Sequence, residues 1–376
     1  MDHDHRQQAA PGEAQFTLEL TKPDGRAMTL YGCGGPVRLD GPVPSPFPDA
    51  LHANPHLRWH PLRGEWIAYA AYRQGRTFLP PPQYNPLAVC VDPANPTELP
   101  AGDYAIAVFE NRFPSLSMQA HDPPAALVDS APGKGLCEVV VFTTNPAATL
   151  GTLPLAQIEL LLQVWGDRTA RAGSRGDIEY VLPFENRGAE VGVTLHHPHG
   201  QIYGYPFVPP IPARMQAMQQ AFYAEHRKSL LADLVQKHMK AGENMLYQGR
   251  HAVAFVPACA RYPYEVWVST IEPVAYFSDL SADQRADLAR ALKTVLLKYD
   301  GLWQRPFPYL MAWYQAPTDG RKHPEAFLHA EFLPPYRTRD RLKYLAGTEL
   351  GAGMFAMDAL PEEKARELQQ VEARLE

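Results

Sequence analysis

Apolar positions recur along this chain with a helical period in two places. Between residues 155 and 169 they lie three and four residues apart, which predicts an amphipathic helix with one buried face. A second helix is predicted to begin at Ser281, which forms a capping box with Gln284, and to end near Gly301. The predicted core stripes are Leu155, Ile158, Leu162, Trp165 and Thr169 in the first helix, and Leu288, Leu292, Val295 and Tyr299 in the second.

Each predicted helix is surrounded by strands in the same order: one before it and two after it. The clearest strands are predicted at 138–141, 178–184, 265–268 and 309–314. The last strand of the first set carries His197 and His199, and that of the second carries His329 and Glu331, with His329 standing 132 residues after His197. This order predicts an α+β fold of two duplicated antiparallel sheet units with packed helices, related by a pseudo-twofold axis.

The chain is predicted to divide into three parts. Residues 1–50 form an N-terminal segment that is partly disordered, 51–212 a domain that carries the chemistry, and 213–376 a second domain with a terminal helix. Within the last part, 213–240 is predicted to be helical and to cover the site or a subunit edge. A final helix is predicted over 361–376, with a docking stripe of Leu368, Val371 and Leu375.

Composition and charge exclude several classes of protein. The chain has 376 residues, 45% of them hydrophobic and 20% charged, as in ordinary globular proteins. The net charge of −6 provides no basic footprint for nucleic acid, and no apolar run reaches membrane-spanning length. The 4 cysteines are scattered without paired spacing, so we expect reduced thiols and a cytoplasmic protein.

The candidate chemistry lies in the pentad His197-Pro198-His199-Gly200-Gln201. The preceding residues 190–195 resemble a strand that continues through the pentad. Alternate residues of a strand face one side, so His197, His199 and Gln201 are expected to line one surface. A neutral imidazole can attack phosphorus and leave again, and an amide can stabilise the oxygens of the transferred group. The competing interpretation is that His196, His197 and His199 are half-buried, hydrogen-bonded structural histidines.

Further motifs accompany the pentad between about residues 55 and 355. They are Arg58-Trp59-His60-Pro61-Leu62, Phe109-Glu110-Asn111-Arg112-Phe113, Phe184-Glu185-Asn186-Arg187-Gly188 and Lys343-Tyr344-Leu345-Ala346-Gly347-Thr348-Glu349. Together with the pentad they resemble the galactose-1-phosphate uridylyltransferases of the histidine-triad (HIT) superfamily. The resemblance implies that the two sheet units are HIT-like.

The resemblance also implies a ping-pong reaction with small-molecule substrates. UDP-glucose would give its uridylyl group to a histidine and release glucose 1-phosphate, and galactose 1-phosphate would then leave as UDP-galactose. Matched by position, His199 would be the nucleophile, Gln201 would hold the phosphoryl oxygens, and His197 would orient the site.

Other matched positions would bind the nucleotide. Asn186, Gly192 and Thr194 match residues near its phosphates, and Asn111 and Arg112 match residues near the uridine ribose. For the two asparagines the competing interpretation is a turn-forming side chain, which is common.

Two further pairs are expected to contact the sugar phosphate. Arg73 and Arg76 match basic residues that the family, as a homodimer, presents across its subunit interface, and Lys343 and Glu349 match residues that bind the hexose. All four also fit ordinary solvated surface charges.

The family's metal-binding positions are largely replaced. The cysteine pair of zinc-binding members corresponds to residues 85–88, which begin with Asn85, and a later histidine corresponds to Pro146, so only His197 remains. One imidazole cannot hold tetrahedral zinc. The second metal site, one glutamate and three histidines, corresponds to Met215, Tyr314, His329 and Glu331. We expect His329 and Glu331 to pack or to form hydrogen bonds, and we predict an enzyme that needs no metal or other cofactor.

Three alternatives stay open from sequence. The first is a related nucleotidyltransferase or phosphorylase that uses an ADP-sugar or a dinucleoside polyphosphate. The second is a nucleotide-binding protein that has lost the chemistry, which retention of both His199 and Gln201 disfavours. The third is a nucleotidyl hydrolase. The resemblance associates glutamine at position 201 with transfer to sugars.

Overall fold

Eighteen β-strands lie in the residues that this computed structural model describes, 16–75 and 84–375. In chain order they are β1 (Thr17–Thr21), β2 (Ala27–Tyr31), β3 (Arg38–Leu39), β4 (His56–His60), β5 (Glu65–Tyr69), β6 (Gly102–Asp103), β7 (Ile106–Glu110), β8 (Ser130–Pro132), β9 (Leu136–Val141), β10 (Tyr180–Arg187), β11 (His199–Tyr205), β12 (Met245–Gln248), β13 (Ala252–Phe255), β14 (Val266–Thr270), β15 (Tyr309–Tyr314), β16 (His329–Leu333), β17 (Tyr336–Thr338) and β18 (Arg341–Leu342).

The α-helices are α1 (Leu155–Gly173), α2 (Pro210–His226), α3 (Leu230–Ala241), α4 (Ala282–Leu302) and α5 (Pro361–Gln369). Short 3-10 or π turns lie at Ala71–Gly75, Leu150–Thr152, Ala189–Val191, Phe277–Asp279 and Gly347–Ala352. Over 16–75 and 84–375, none of the helices combines the length and apolar character needed to cross a bilayer.

Eleven of the strands form one antiparallel sheet in the order β1-β2-β7-β9-β11-β10-β15-β16-β14-β13-β12. Its middle is the pair β10–β15, in which Phe184 lies opposite Ala312. On one side of this pair stands β11, whose Gln201 lies opposite Phe184, and on the other stands β16, whose Glu331 lies opposite Ala312. The predicted class, helices combined with an antiparallel sheet, is confirmed.

The two long helices pack against the sheet and against each other. All members of the second predicted stripe are fully buried, and so are Ile158, Leu162 and Trp165 of the first. Trp165 reaches across the midline to Trp313 on β15, with 5.7 Å between ring centroids. The capping box at the start of α4 is confirmed by the bond from the Gln284 N–H to Ser281 Oγ, at 3.2 Å.

Two helix predictions are wrong in extent. Residues 213–240 form two helices because Arg227, with φ of 56°, ends α2 in a left-handed turn before Ser229 begins α3. The final helix ends at Gln369, so Leu368 is buried within it while Val371 follows it. The backbone carbonyls of both residues accept bonds from the buried ammonium of Lys298, at 3.1 and 2.7 Å, which satisfies this helix end.

The first described residues belong to the main sheet. Strands β1 and β2 form a hairpin around the turn Lys22-Pro23-Asp24-Gly25-Arg26, and β2 pairs with β7. Three charged side chains of this turn are buried. Arg26 contacts Asp24 and Glu98, both at 2.8 Å, and Lys22 contacts Glu98 at 2.9 Å. These ion pairs attach the hairpin to the segment around Glu98.

We expect Arg26→Ala to lower the free energy of unfolding by about 3–5 kcal/mol, because it leaves Asp24 without a buried counter-charge and leaves Glu98 with Lys22 alone. Chemical denaturation followed by fluorescence measures this difference. The control is Arg171→Ala, since the Arg171 side chain is 42% exposed in its pair with Asp167 and such pairs are worth about 0–1 kcal/mol. Equal losses in the two variants would contradict the role given to the buried cluster.

Candidate active site

A cleft of about 150 Å³ opens beside strand β11. His199 and Gln201 line it from alternate positions of that strand. In the sheet, β11 lies between β10 and β9. The remaining lining residues come from seven other segments and are Phe47, Arg73, Pro86, Leu87, Glu98, Phe109, Asn111, Arg112, Phe113, Val139, Thr194 and Leu195.

The imidazole of His199 is held in one tautomer. Its Nδ1 lies 2.7 Å from the backbone carbonyl oxygen of His197. A carbonyl only accepts hydrogen bonds, so Nδ1 carries the proton and donates. In the neutral ring Nε2 then keeps its lone pair, which makes it the nucleophilic atom.

Burial keeps this ring uncharged. It lowers the pKa of His199 below the ordinary value of 6.5, and the nearby His197 lowers it further, against the opposing effect of the bond to the His197 carbonyl. The side chain is therefore neutral at pH 7, which is the form that can attack phosphorus.

Gly200 separates the two cleft residues because its other face is packed. A Cβ placed there would lie 2.7 Å from the Phe184 carbonyl oxygen and 2.8 Å from the ring of Phe142. Only glycine lets β11 approach the core this closely while its alternate residues face the cleft.

A chain of hydrogen bonds orients the Gln201 amide. The backbone N–H of Phe113 donates to Asn111 Oδ1 at 2.8 Å, which leaves Asn111 Nδ2 to donate to Gln201 Oε1 at 3.3 Å. The Gln201 amide nitrogen is thereby left as a donor at the cleft. This is the polarity that a negatively charged phosphoryl oxygen requires.

His197 does not line the cleft with the other two, so the expectation of one surface is wrong for this residue. The regular strand begins only at His199, and His197 is 3% exposed. The strand predicted over 190–195 is also wrong: Gly188 and Gly192 adopt φ of 98° and 80°, which turns the chain through a short 3-10 segment.

Two arginines place positive charge at the cleft. Arg73 lies in the turn Ala71–Gly75 and donates to the Phe113 carbonyl oxygen. Arg112 donates to the Asp49 carbonyl oxygen at 3.0 Å and lies over the Phe47 ring, 4.7 Å from its centroid. The predicted Arg76 lies outside the described residues.

The three residues predicted to lie near phosphate have different positions. Thr194 lines the cleft, whereas Gly192 is in the preceding turn and is not among the lining residues. Asn186 lies on β10, two residues beyond the partner of Gln201. Its buried Oδ1 has no hydrogen-bond partner among the described residues, so the amide is left to bind a ligand or water.

Lys343 and Glu349 are brought together, but not at this cleft. The Lys343 ammonium lies 3.6 Å from Glu349 and donates to the Ala356 carbonyl oxygen at 2.6 Å. Glu349 also accepts from the backbone N–H of Ala346 at 3.1 Å, and neither side chain lines the His199 cleft.

Sequence reasoning missed Phe47, Glu98 and the two phenylalanines that flank Asn111 and Arg112. Phe47 and the partners of Glu98 precede residue 51, in the segment that was separated from the catalytic domain. The available signal was the alternation of polar and apolar residues in 17–21 and 27–31, on either side of a Pro-Asp-Gly turn. This pattern is typical of a hairpin.

The residues at the family's metal positions do not fit a metal ion. Both ring nitrogens of His197 are hydrogen-bonded, to Asn85 at 2.9 Å and to the Thr143 carbonyl at 2.8 Å. At the second position the carboxylate of Glu331 is held by the Arg261 guanidinium at 2.6 Å. In the part of the chain that the structure describes, no group of three or more His, Cys, Asp or Glu residues could hold a metal.

A neutral imidazole, an oriented amide donor and two arginines in one cleft define a candidate group-transfer enzyme that acts on phosphate esters. Two family profiles match the chain: galactose-1-phosphate uridyl transferase, N-terminal domain, over residues 46–209, and the C-terminal domain of the same family over 215–375. The chain belongs to the galactose-1-phosphate uridylyltransferase family, which confirms the resemblance seen in the sequence.

The alignments with individual relatives span most of the length of each relative. The galactose-1-phosphate uridylyltransferase of Thermotoga maritima is 37% identical over 85% of this chain and 99% of its own. That of Streptomyces lividans is 34% identical over 83% and 86%. A solved uridylyltransferase structure is 31% identical, with a TM-score of 0.74 over 84% of this chain and 97% of its own. An ADP-glucose phosphorylase from Arabidopsis thaliana, 22% identical with a TM-score of 0.64 over 85% and 100%, shows the fold alone.

The lowered pKa of His199 predicts that activity persists to a lower pH than an ordinary histidine would allow. Protonation removes the Nε2 lone pair, so kcat/KM for the first substrate should fall only below pH 6.5, the ordinary histidine value. A pH profile at limiting substrate measures this limb. A limb centred above pH 6.5 would show that burial does not control the charge of this ring.

Proposed function

We propose that this enzyme transfers the uridylyl group of UDP-glucose to galactose 1-phosphate through a covalent intermediate on Nε2 of His199. Uridylyl transfer is the activity of the family to which the chain belongs. The observation that carries the covalent route is the bond from His199 Nδ1 to the His197 carbonyl oxygen, because it leaves Nε2 as the nucleophilic atom of a ring that lines the cleft.

The reaction has two displacements. In the first, Nε2 attacks the α-phosphorus of UDP-glucose, the bond from that phosphorus to the bridging oxygen breaks, and glucose 1-phosphate leaves. In the second, a phosphate oxygen of galactose 1-phosphate attacks the same phosphorus, and the P–N bond breaks to give UDP-galactose. His199 supplies and recovers the electron pair in turn, so no other base is needed at the ring.

The residues around His199 stabilise and position the group in transfer. Gln201 donates its amide N–H to the phosphoryl oxygens, while Asn111 keeps that amide in the required orientation. Arg112 adds positive charge beside Asn111, Thr194 offers a hydroxyl at the cleft, and Asn186 on β10 carries an amide oxygen without a partner among the described residues. Substrate binding at these positions remains part of the proposal.

We further propose that the sheet arose by duplication of one HIT-like unit, with a pseudo-twofold axis at β10–β15. The strand order supports this, because β2-β7-β9-β11-β10 is followed by β15-β16-β14-β13-β12 in mirrored succession. His329 also repeats the bond of His199, with Nδ1 2.9 Å from the carbonyl of the residue two places earlier. This bond aligns His329 with His199 rather than with His197.

A homodimer would cover an exposed apolar segment near the C-terminal end of the chain. Lys343 and Glu349 lie in a segment whose apolar side chains are exposed: Tyr344 is 75% exposed, Leu350 62% and Met354 65%. Covering such side chains favours association. We propose that a second copy of the chain covers this segment, beside Lys343 and Glu349, which the family resemblance assigns to the hexose. A cytoplasmic location is likewise proposed.

The intermediate is tested by incubating the protein with UDP-glucose alone, quenching it and locating added UMP by mass spectrometry. We expect one UMP on His199, no adduct in His199→Ala, and no AMP adduct in a parallel incubation with ADP-glucose. Gln201→Ala should form the adduct roughly a hundred- to a thousandfold more slowly, as the loss of one oxyanion donor does elsewhere. Full-speed turnover without an adduct would refute the covalent route, and an adduct from ADP-glucose alone would refute uridine specificity.

Catalysis is proposed to need no metal. Asn85 is bonded to His197 and Arg261 to Glu331, so the side chains at the two metal positions already have partners. Dialysis against a strong chelator should therefore leave both turnover and the melting temperature unchanged. Elemental analysis of the dialysed protein provides the check. Stoichiometric zinc that survives dialysis, or activity restored by added zinc, would contradict the proposal.

A further inference from the structure

The turn that begins at Asn85 is rigidly attached to the body of the protein. The Ala88 N–H donates to the Asn85 carbonyl at 3.0 Å, and the Glu98 N–H donates to the Pro86 carbonyl at 2.8 Å. Leu87, 3% exposed, packs into the core cluster of the hairpin and β7. The backbone that carries Asn85 therefore has one defined position.

The side-chain amide of Asn85 has one defined orientation. Its Oδ1 accepts from the backbone N–H of Leu87 at 3.0 Å, an atom that can only donate. Its Nδ2 is consequently the atom 2.9 Å from Nδ1 of His197, to which it donates.

This contact and one other fix the His197 ring. Nε2 of His197 lies 2.8 Å from the Thr143 carbonyl, so Nε2 carries the proton and Nδ1 accepts from Asn85. Burial lowers the pKa of His197, in keeping with a neutral ring. Both nitrogens are occupied, so this imidazole serves neither as base nor as nucleophile.

The same residue holds the nucleophile through its backbone. The His197 carbonyl accepts from His199 Nδ1 at 2.7 Å, and the next carbonyl, of Pro198, accepts from the Phe142 N–H at 3.1 Å. The two hydrogen bonds of the ring therefore anchor the residue whose backbone carbonyl is the acceptor for His199 Nδ1.

We propose that Asn85 is a positioning residue, which anchors the His197 ring through its Nδ2–H and thereby sets the position and tautomer of the nucleophile His199. This inference rests on the proposed function of His199. A single amide would do, without a metal, what an anchoring ligand does for an imidazole.

The competing role for Asn85 is to shape its own turn, and Asn85→Asp separates the two roles. The aspartate keeps an oxygen for the Leu87 N–H, but it presents an acceptor to His197 Nδ1 in place of a donor. We expect the rate of UMP addition to His199 to fall about 10- to 100-fold, the typical effect of losing an orienting partner. KM for UDP-glucose should stay within about twofold, because Asn85 does not line the cleft.

The matched control is Asn95→Asp, at an exposed asparagine of the following turn, which should keep the parent rate. A rate in Asn85→Asp within twofold of the parent, or a loss carried entirely by KM, would overturn the inference. Parent protein that turns over without any adduct would instead remove the proposed function on which it rests.

A second measurement needs no variant. Nitrogen-15 NMR of the parent protein should show the proton of His197 on Nε2, with Nδ1 unprotonated and hydrogen-bonded. A proton on Nδ1 in the neutral parent would overturn the inference even if Asn85→Asp failed to fold.

Discussion

The active site depends on one hydrogen bond, from Nδ1 of His199 to the backbone carbonyl of His197. It decides which nitrogen keeps a lone pair, and burial, which lowers the pKa of the ring, keeps that lone pair unprotonated. Because the acceptor belongs to the backbone, the position of the His199 ring depends on the path of the chain just before β11. The residues that fix this path therefore also fix the orientation of the His199 ring.

The surrounding sheet supplies that path. Strand β11 lies between β9 and β10, and Gly200 brings its backbone against Phe142 and the Phe184 carbonyl. The cleft side of the strand is left with His199 and Gln201, while the two long helices bury the core beneath. Asn111, at the end of β7, reaches Gln201 because β9, which pairs with both β7 and β11, brings the two strands near each other.

The regular elements could be predicted from sequence because their signals are local. The stripe of α4 and its capping box at Ser281 depend on residues three and four positions apart. The loop after Gly188 was misjudged because β-branched residues favour strands, while the positive φ of two glycines overrides that preference. The orientation of His197 toward Asn85 depends on residues 112 positions apart, which no periodic pattern encodes. Motif resemblance found His199 and Gln201, but not the bonds that orient them.

Glu98 connects the first hairpin to the turn of Asn85. Its carboxylate binds Lys22 and Arg26 of the first hairpin, while its backbone N–H holds the turn of Asn85 through Pro86. Changes in that hairpin would thus be transmitted along a short covalent and ionic path to the turn of Asn85, which contacts His197. Slow turnover in a hairpin variant would then indicate that the turn of Asn85 is less firmly held, even though no residue that contacts the substrate has changed.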